Sequence, residues 1–237
     1  MSKFNLEKSV EKAKFTLAKK GIPTVKAAVV LNLDVSGSAR SLFRDGLIQE
    51  AFQVIVPIAT VFDDNQSLDV FTFADDGFTT QITPNATAAN YSDYINKNIL
   101  NNDKVRKWGG THYADVAREN IKALGFYKKS GFFGKIALAS RNDSGFPALI
   151  ITITDGANSD QAAIKEFLKE CQDTKVNAYF LYIGVGHADF SNIVQLGDLY
   201  SNVGFVSVKD IQKFAGSDDV YDQLLPQELV EWFKTSK

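Results

Sequence analysis

A chain of 237 residues, 45% hydrophobic and 23% charged, has the makeup of an ordinary globular protein and the length to bury a substantial core as one domain, 1–237. Its formal charge of −2 supplies no basic field to recruit nucleic acid or anionic lipid. The single cysteine, Cys171, excludes an internal disulfide and fits a reducing compartment; with two histidines, His112 and His187, the chain holds too few soft ligands for an ordinary Zn site.

The opening Met1-Ser2-Lys3-Phe4-Asn5 lacks the apolar stretch of a signal peptide, and no run approaches the ~20 apolar residues of a membrane span, so the expected location is cytoplasmic. Leu6, Val10, Ala13 and Leu17 recur at helical spacing, predicting an amphipathic helix over residues 5–20 that packs its apolar side on the domain. Gly21 and Pro23 stop it. Val25 to Leu33 is apolar at nearly every position, the pattern of a strand buried on both faces of a parallel sheet. A helix is predicted from Leu47 to Val61, kinked or delayed by Pro57. Phe62-Asp63-Asp64-Asn65 reads as a polar turn, Leu68 to Phe73 as a strand, and Asp75-Asp76-Gly77 as a turn into a short edge strand at Thr79 to Thr83. Tyr91 to Leu100 is predicted helical, as is Tyr113 to Leu124. Residues 125–146 form a long basic and aromatic connection, with Phe126, Tyr127, Lys128, Lys129, Phe132, Phe133, Lys135 and Arg141. Strands follow at Ala148 to Thr154, Val176 to Val185 and Gly204 to Val208. Helices are expected at 159–173, with Cys171 as a small buried residue, at Phe190 to Leu199, and at Asp218 to Phe233, the last broken by Pro226. The alternation of apolar strands and helices predicts an α/β fold, a doubly wound, mostly parallel sheet flanked by helices with one antiparallel edge strand.

The chemistry concentrates at three strand ends. Asp34-Val35-Ser36-Gly37-Ser38 closes the first central strand and sets an aspartate and two serines two residues apart. The glycine-rich stretch Trp108-Gly109-Gly110-Thr111-His112 contributes Thr111. Thr154-Asp155-Gly156 closes a later apolar strand. In open α/β sheets ligands bind beyond the carboxyl ends of strands, where strand order reverses, so these loops are expected to converge. Asp34, Ser36, Ser38, Thr111 and Asp155 offer two carboxylates and three hydroxyls, a set suited to Mg²⁺, or to Mn²⁺ or Ca²⁺. Two aspartates balance a dication, and if one of them, Asp155 above all, acts through water, the ion retains affinity for an acidic group from outside. The corresponding activity is association: an Asp or Glu carboxylate of a protein partner completes the shell.

These residues, in this order, resemble the metal-ion-dependent adhesion site (MIDAS) of von Willebrand factor A (vWA) domains. Ala39 stands where many members have methionine, a position that supplies no ligand. Further stretches are similar to the bacterial TerF-like branch tied to tellurium resistance and stress response: Gly21-Ile22, Asp45-Gly46-Leu47-Ile48-Gln49, Pro57-Ile58-Ala59, Leu68-Asp69-Val70-Phe71, Ile183-Gly184-Val185-Gly186 and Tyr221-Asp222-Gln223-Leu224-Leu225. The resemblance covers most of residues 20–235 and implies a three-layer vWA fold and partner binding without established catalysis.

Two other readings compete. A Mg²⁺-dependent phosphate-handling hydrolase would use a strand-end aspartate as nucleophile. Its usual Asp-x-Asp is absent, Ser36 standing at the second position. His112, and His187 with Asp189, are expected to be solvated or hydrogen-bonded loop residues. The other reading is a metal-independent interaction module using the 125–146 connection as a docking or oligomer surface.

Overall fold

The computed structural model describes residues 4–63, 65–75, 77–130 and 135–236. Met1 to Lys3, Asp64 and Asp76 of the two acidic turns, and Phe132 and Phe133 of the long connection lie outside them.

Six strands form the central sheet: β1 (Ala28–Asp34), β2 (Leu68–Phe73), β3 (Thr80–Ala86), β6 (Ala148–Thr154), β7 (Ala178–Val185) and β8 (Val203–Val208), in the order β3-β2-β1-β6-β7-β8. All neighbours are parallel except β3, which runs antiparallel to β2 at the edge and there tolerates Pro84. The strands begin or end a few residues from the predicted positions. β1 begins at Ala28 because Lys26 and Ala27 still belong to the approach from the first helix, Ala27 N–H donating to Phe62 O.

The continuous apolar runs reflect burial on both sheet faces, and their period of two sorts the side chains into two cores. Val29, Leu31 and Leu33 face one core with Leu149, Ile151, Leu181 and Ile183. That layer is covered by α1 (Leu6–Lys19), α2 (Arg40–Arg44), α3 (Leu47–Phe62), α7 (Ile211–Gly216), α8 (Val220–Leu224) and α9 (Gln227–Thr235). Val30, Ile150, Phe180 and Tyr182 face the other, covered by α4 (Tyr113–Ala123), α5 (Gln161–Asp173) and α6 (Ser191–Leu199). Each large aliphatic side chain so buried contributes about 1.5–3 kcal/mol.

α1 lies on α3 and α8, burying Ala13, Thr16 and Leu17, while Lys20 reaches Asp222. α3 starts at Leu47 and runs through Pro57 without interruption. The C-terminal helix breaks at Pro226, as its lost N–H requires. Residues 91–100 depart from the predicted single helix. They form a 3₁₀ turn, Tyr91–Asp93, and a π turn, Asn96–Leu100. The asparagines explain it: Asn98 Nδ2 donates to Tyr94 O at 3.1 Å and Asn102 Nδ2 to Asn98 O at 3.0 Å, side-chain amides joining the backbone in bonding the segment's carbonyls. The 125–146 connection contains an antiparallel hairpin, β4 (Tyr127–Ser130) with β5 (Lys135–Leu138), braced by a Lys128–Asp143 ion pair.

Candidate metal centre

β1 pairs with β2 on one side and β6 on the other, so the carboxyl ends of β1 and β6 flank the point where strand order reverses. Asp34 is the last residue of β1 and only 2% exposed. Its Oδ1 accepts Ser36 N–H at 2.8 Å, an Asx turn that bends the chain away from the sheet. Its Oδ2 accepts the Thr154 hydroxyl at 2.6 Å from the end of β6. Ser36, equally buried, sets its Oγ 3.0 Å from Ser38 Oγ, and Ser38 Oγ donates to Asp155 Oδ1 at 2.9 Å. Four of the five expected ligands therefore share one hydrogen-bonded cluster, Asp34 through its Asx turn and the other three through their side-chain oxygens.

Thr111 joins through the backbone. Ser36 and Gly109 form a parallel bridge, Gly37 N–H donates to Gly109 O at 2.8 Å, and Trp108 N–H donates to Val35 O at 2.6 Å. Thr111 sits two residues beyond that bridge, 6% exposed, its carbonyl accepting Ser159 N–H at 2.9 Å from the loop after β6. The glycine-rich loop is thus tied to both of the others. Tyr113, the first residue of α4, adds a link: its hydroxyl lies 2.6 Å from Gly156 O, to which it donates, and 2.9 Å from Thr154 Oγ1.

Electrostatics distinguishes this cluster from an ordinary capped turn. Burial pushes the Asp34 carboxyl up to about 6, against the lowering effect of its bonds from Thr154 and Ser36, and Asp155 adds repulsion. Burial raises Asp155 as well, opposed by its bond from Ser38. No basic side chain contributes to either balance. Two desolvated carboxylates without a counter-charge, surrounded by hydroxyls, match the donor preference of a hard dication. Among the described residues no three His, Cys, Asp or Glu side chains gather, so the oxygens available at this rim are two carboxylates and neighbouring hydroxyls.

Two contributing residues escaped the sequence reading. Asp75, read as a turn residue, accepts Gly110 N–H on its Oδ1, while His112 N–H donates to Ala74 O at 2.9 Å. A Cβ on Gly109 would collide with the Asp75 carboxylate, so the glycine pair admits this carboxylate against the loop backbone. That pair was the available signal. Asp160 accepts Tyr113 N–H at 3.1 Å and Ala114 N–H at 2.6 Å, capping α4 from the segment before α5 where His112 makes no cap of its own. The expected product of removing the first anchor, Asp75→Ala, is a folded protein with Mg²⁺ affinity about 10-fold weaker, because Thr111 loses its support. Calorimetric titration reads this directly, and undiminished affinity would show that Asp75 does not position the loop.

The remaining candidates take the ordinary roles expected of them. His112 is half-buried, its backbone N–H bonded to Ala74 O just beyond β2, and His187 is exposed. Asp189 accepts Ser191 N–H at 2.9 Å at the start of α6. Cys171 is buried, its thiol pushed up to about 12 by burial, and is therefore inert as a nucleophile.

A family model described as vWA-TerF-like, the vWA found in the TerF C terminus, matches residues 26–237. The Bacillus subtilis (strain 168) protein YcbR, itself uncharacterized, is 30% identical over 239 residues, covering 100% of this chain and 89% of that one. Among solved structures, a von Willebrand factor type A protein from Catenulispora acidiphila superposes with TM-score 0.56 at 12% identity over 86% of this chain and 43% of its own. Proximal thread matrix protein 1 from the mussel byssus, with a zinc-occupied MIDAS motif, superposes with TM-score 0.52 at 16% identity over 88% of this chain and 50% of its own. The chain thus spans half or less of these solved chains, and likeness at such identities establishes the fold. No helix among the described residues is long and apolar enough to cross a membrane.

Proposed function

This chain belongs to the vWA-TerF-like family, and from that premise we propose that it is a metal-dependent protein-binding module rather than an enzyme. Asp34, Ser36, Ser38, Thr111 and Asp155 hold Mg²⁺, or Mn²⁺ or Ca²⁺ in its place. When bound, the cation supplies an electrophilic position for one Asp or Glu carboxylate of a protein partner. The observation that carries the reading is the buried Asp34 carboxylate, pushed up to about 6, clustered with Ser36, Thr154 and Asp155 and opposed by no cation. A purely structural turn has no need of a charge so poorly solvated.

The residues divide the work. Thr154 and Ser36 orient the Asp34 carboxylate and stabilise its ionised form. Ser36 and Ser38 offer neutral oxygens, which fill positions without cancelling charge. Asp155, half-buried and bonded to Ser38, serves through water as readily as directly. The family tie is the ground for placing the module, as a single domain in the cytoplasm, in tellurite tolerance or another stress response.

Calorimetric titration of metal-free protein with Mg²⁺ and Mn²⁺, wild type against Asp34→Ala, tests the site. Capture of cellular partners with and without chelator tests its use. Saturable binding lost in the variant, and capture lost with chelator, are the expected results. Equal binding by the variant would overturn the ligand set, and capture indifferent to chelator would overturn metal dependence.

A further inference from the structure

We propose that Arg40 and Trp108 form a second recognition point beside the metal centre, which takes a second carboxylate of the same acidic partner segment. The inference rests on the metal-centre reading and specifies the partner: two acidic side chains close together, one for the cation and one for Arg40.

Trp108 has φ +72°, one of three non-glycine residues in the left-handed region among those described. A glycine would occupy such a backbone without strain, and a side chain there is disfavoured. The tryptophan backbone is locked to the metal loop by its N–H bond to Val35 O at 2.6 Å. Its indole meets the edge of Phe43, centroids 5.8 Å apart at 78°, and its face lies 5.5 Å from the Arg40 guanidinium carbon. The strained residue thus carries its indole on a backbone bonded to the metal loop, with the ring against Phe43 and Arg40.

Arg40 opens α2, two residues after Ser38, and is exposed. Among the described residues no carboxylate lies within ion-pair reach of it. Arg44, at the other end of the same helix, is by contrast bonded to Asp45 at 2.8 Å. A cation–π contact with an indole face restrains a guanidinium without using its N–H donors, and that fork of donors can receive a carboxylate in bidentate fashion. The cation position and the Arg40 edge therefore present two anion-seeking points on one rim. A basic or neutral segment gains nothing at the second point, so charge complementarity selects an acidic one.

The test uses two capped peptides, acetyl-Glu-Gly-Glu-amide and acetyl-Glu-Gly-Gln-amide, with saturating Mg²⁺. The protein carries Trp232→Phe, which leaves Trp108 as the fluorescent reporter. The two-carboxylate peptide is expected to bind about fivefold tighter. Arg40→Gln removes that preference without changing the calorimetric Mg²⁺ affinity, and Arg40→Lys restores it only in part. An Arg40→Gln protein that keeps the wild-type preference, or a wild type that shows none while binding Mg²⁺, overturns the proposal and leaves the metal centre standing. A preference that depends on Arg40 but persists in chelator supports the rim and sinks the metal reading instead.

Discussion

Replacing Asp34 by Asn is expected to make the metal-free protein more stable at pH 7.5, by about 2 kcal/mol, while abolishing its response to Mg²⁺. The Asp34 carboxyl titrates near 3.8 when exposed and at about 6 in the fold. Between these values the folded state holds more protons than the unfolded one. Stability of the metal-free wild type therefore falls as pH rises from about 4 to about 6, then stays level. At about 1.4 kcal/mol per unit, the penalty at neutral pH approaches about 3 kcal/mol. An amide carries no such charge. It keeps an acceptor for Ser36 N–H, though the Thr154 hydroxyl must turn to accept rather than donate, which returns about 1 kcal/mol of the gain. Thermal unfolding at pH 4.5 and 7.5 separates the contributions: the Asn advantage is small at the lower pH and full at the higher. An Asn variant less stable than wild type at pH 7.5, or one that still binds Mg²⁺, would contradict the account. A residue that destabilises the empty fold yet is required for the ion is the signature of a site built for function.

The second large effect is expected at Thr154. Thr154→Val preserves shape and β-branching in a strand position that is 1% exposed, and removes the 2.6 Å hydrogen bond to Asp34 Oδ2. A buried carboxylate oxygen without its donor costs about 1–3 kcal/mol. The Thr154 bond is the largest influence holding the Asp34 carboxyl down, so its loss drives the titration further upward. Protons then compete better with the cation. Apparent Mg²⁺ affinity at pH 7 should fall by about 10-fold, with much of the loss recovered at pH 8.5. Affinity measured by calorimetry across that range decides it, and an unshifted pH profile in the variant would mean that Thr154 does not tune Asp34.

Much of this arrangement is written in local sequence. Apolar runs such as Leu149-Ile150-Ile151 announce strands buried on both faces, because only a covered parallel sheet removes every side chain from water. Asp34, Ser36 and Ser38 stand out in the sequence because they sit two residues apart at the end of β1, Asp155 because it directly follows β6, and Thr111 because it follows a glycine pair just before α4. What escaped depends on neighbours distant in the chain. Asp75 looks like any turn aspartate until β2 is laid beside β1 and its carboxylate meets Gly110. Asp160 caps a helix that begins 47 residues earlier. Residues 91–100 misled because apolar spacing suits a helix there while the asparagine amides favour tighter and wider turns. The hairpin in 125–146 was hidden by strands of four residues each, too short to show a period. The contact of Arg40 with Trp108, which the sequence shows only as the residue before the glycine pair, leaves no local pattern because the two lie 68 positions apart.

The central claim is that oxygens from three loops share one ion, and anomalous scattering from crystals grown with Mn²⁺ addresses it most directly. The account predicts a single strong peak enclosed by Ser36, Ser38 and Thr111 with Asp34 and Asp155 around it, absent in Asp34→Asn crystals. A peak elsewhere on the molecule, or none at this rim with Mn²⁺ in excess, would contradict it.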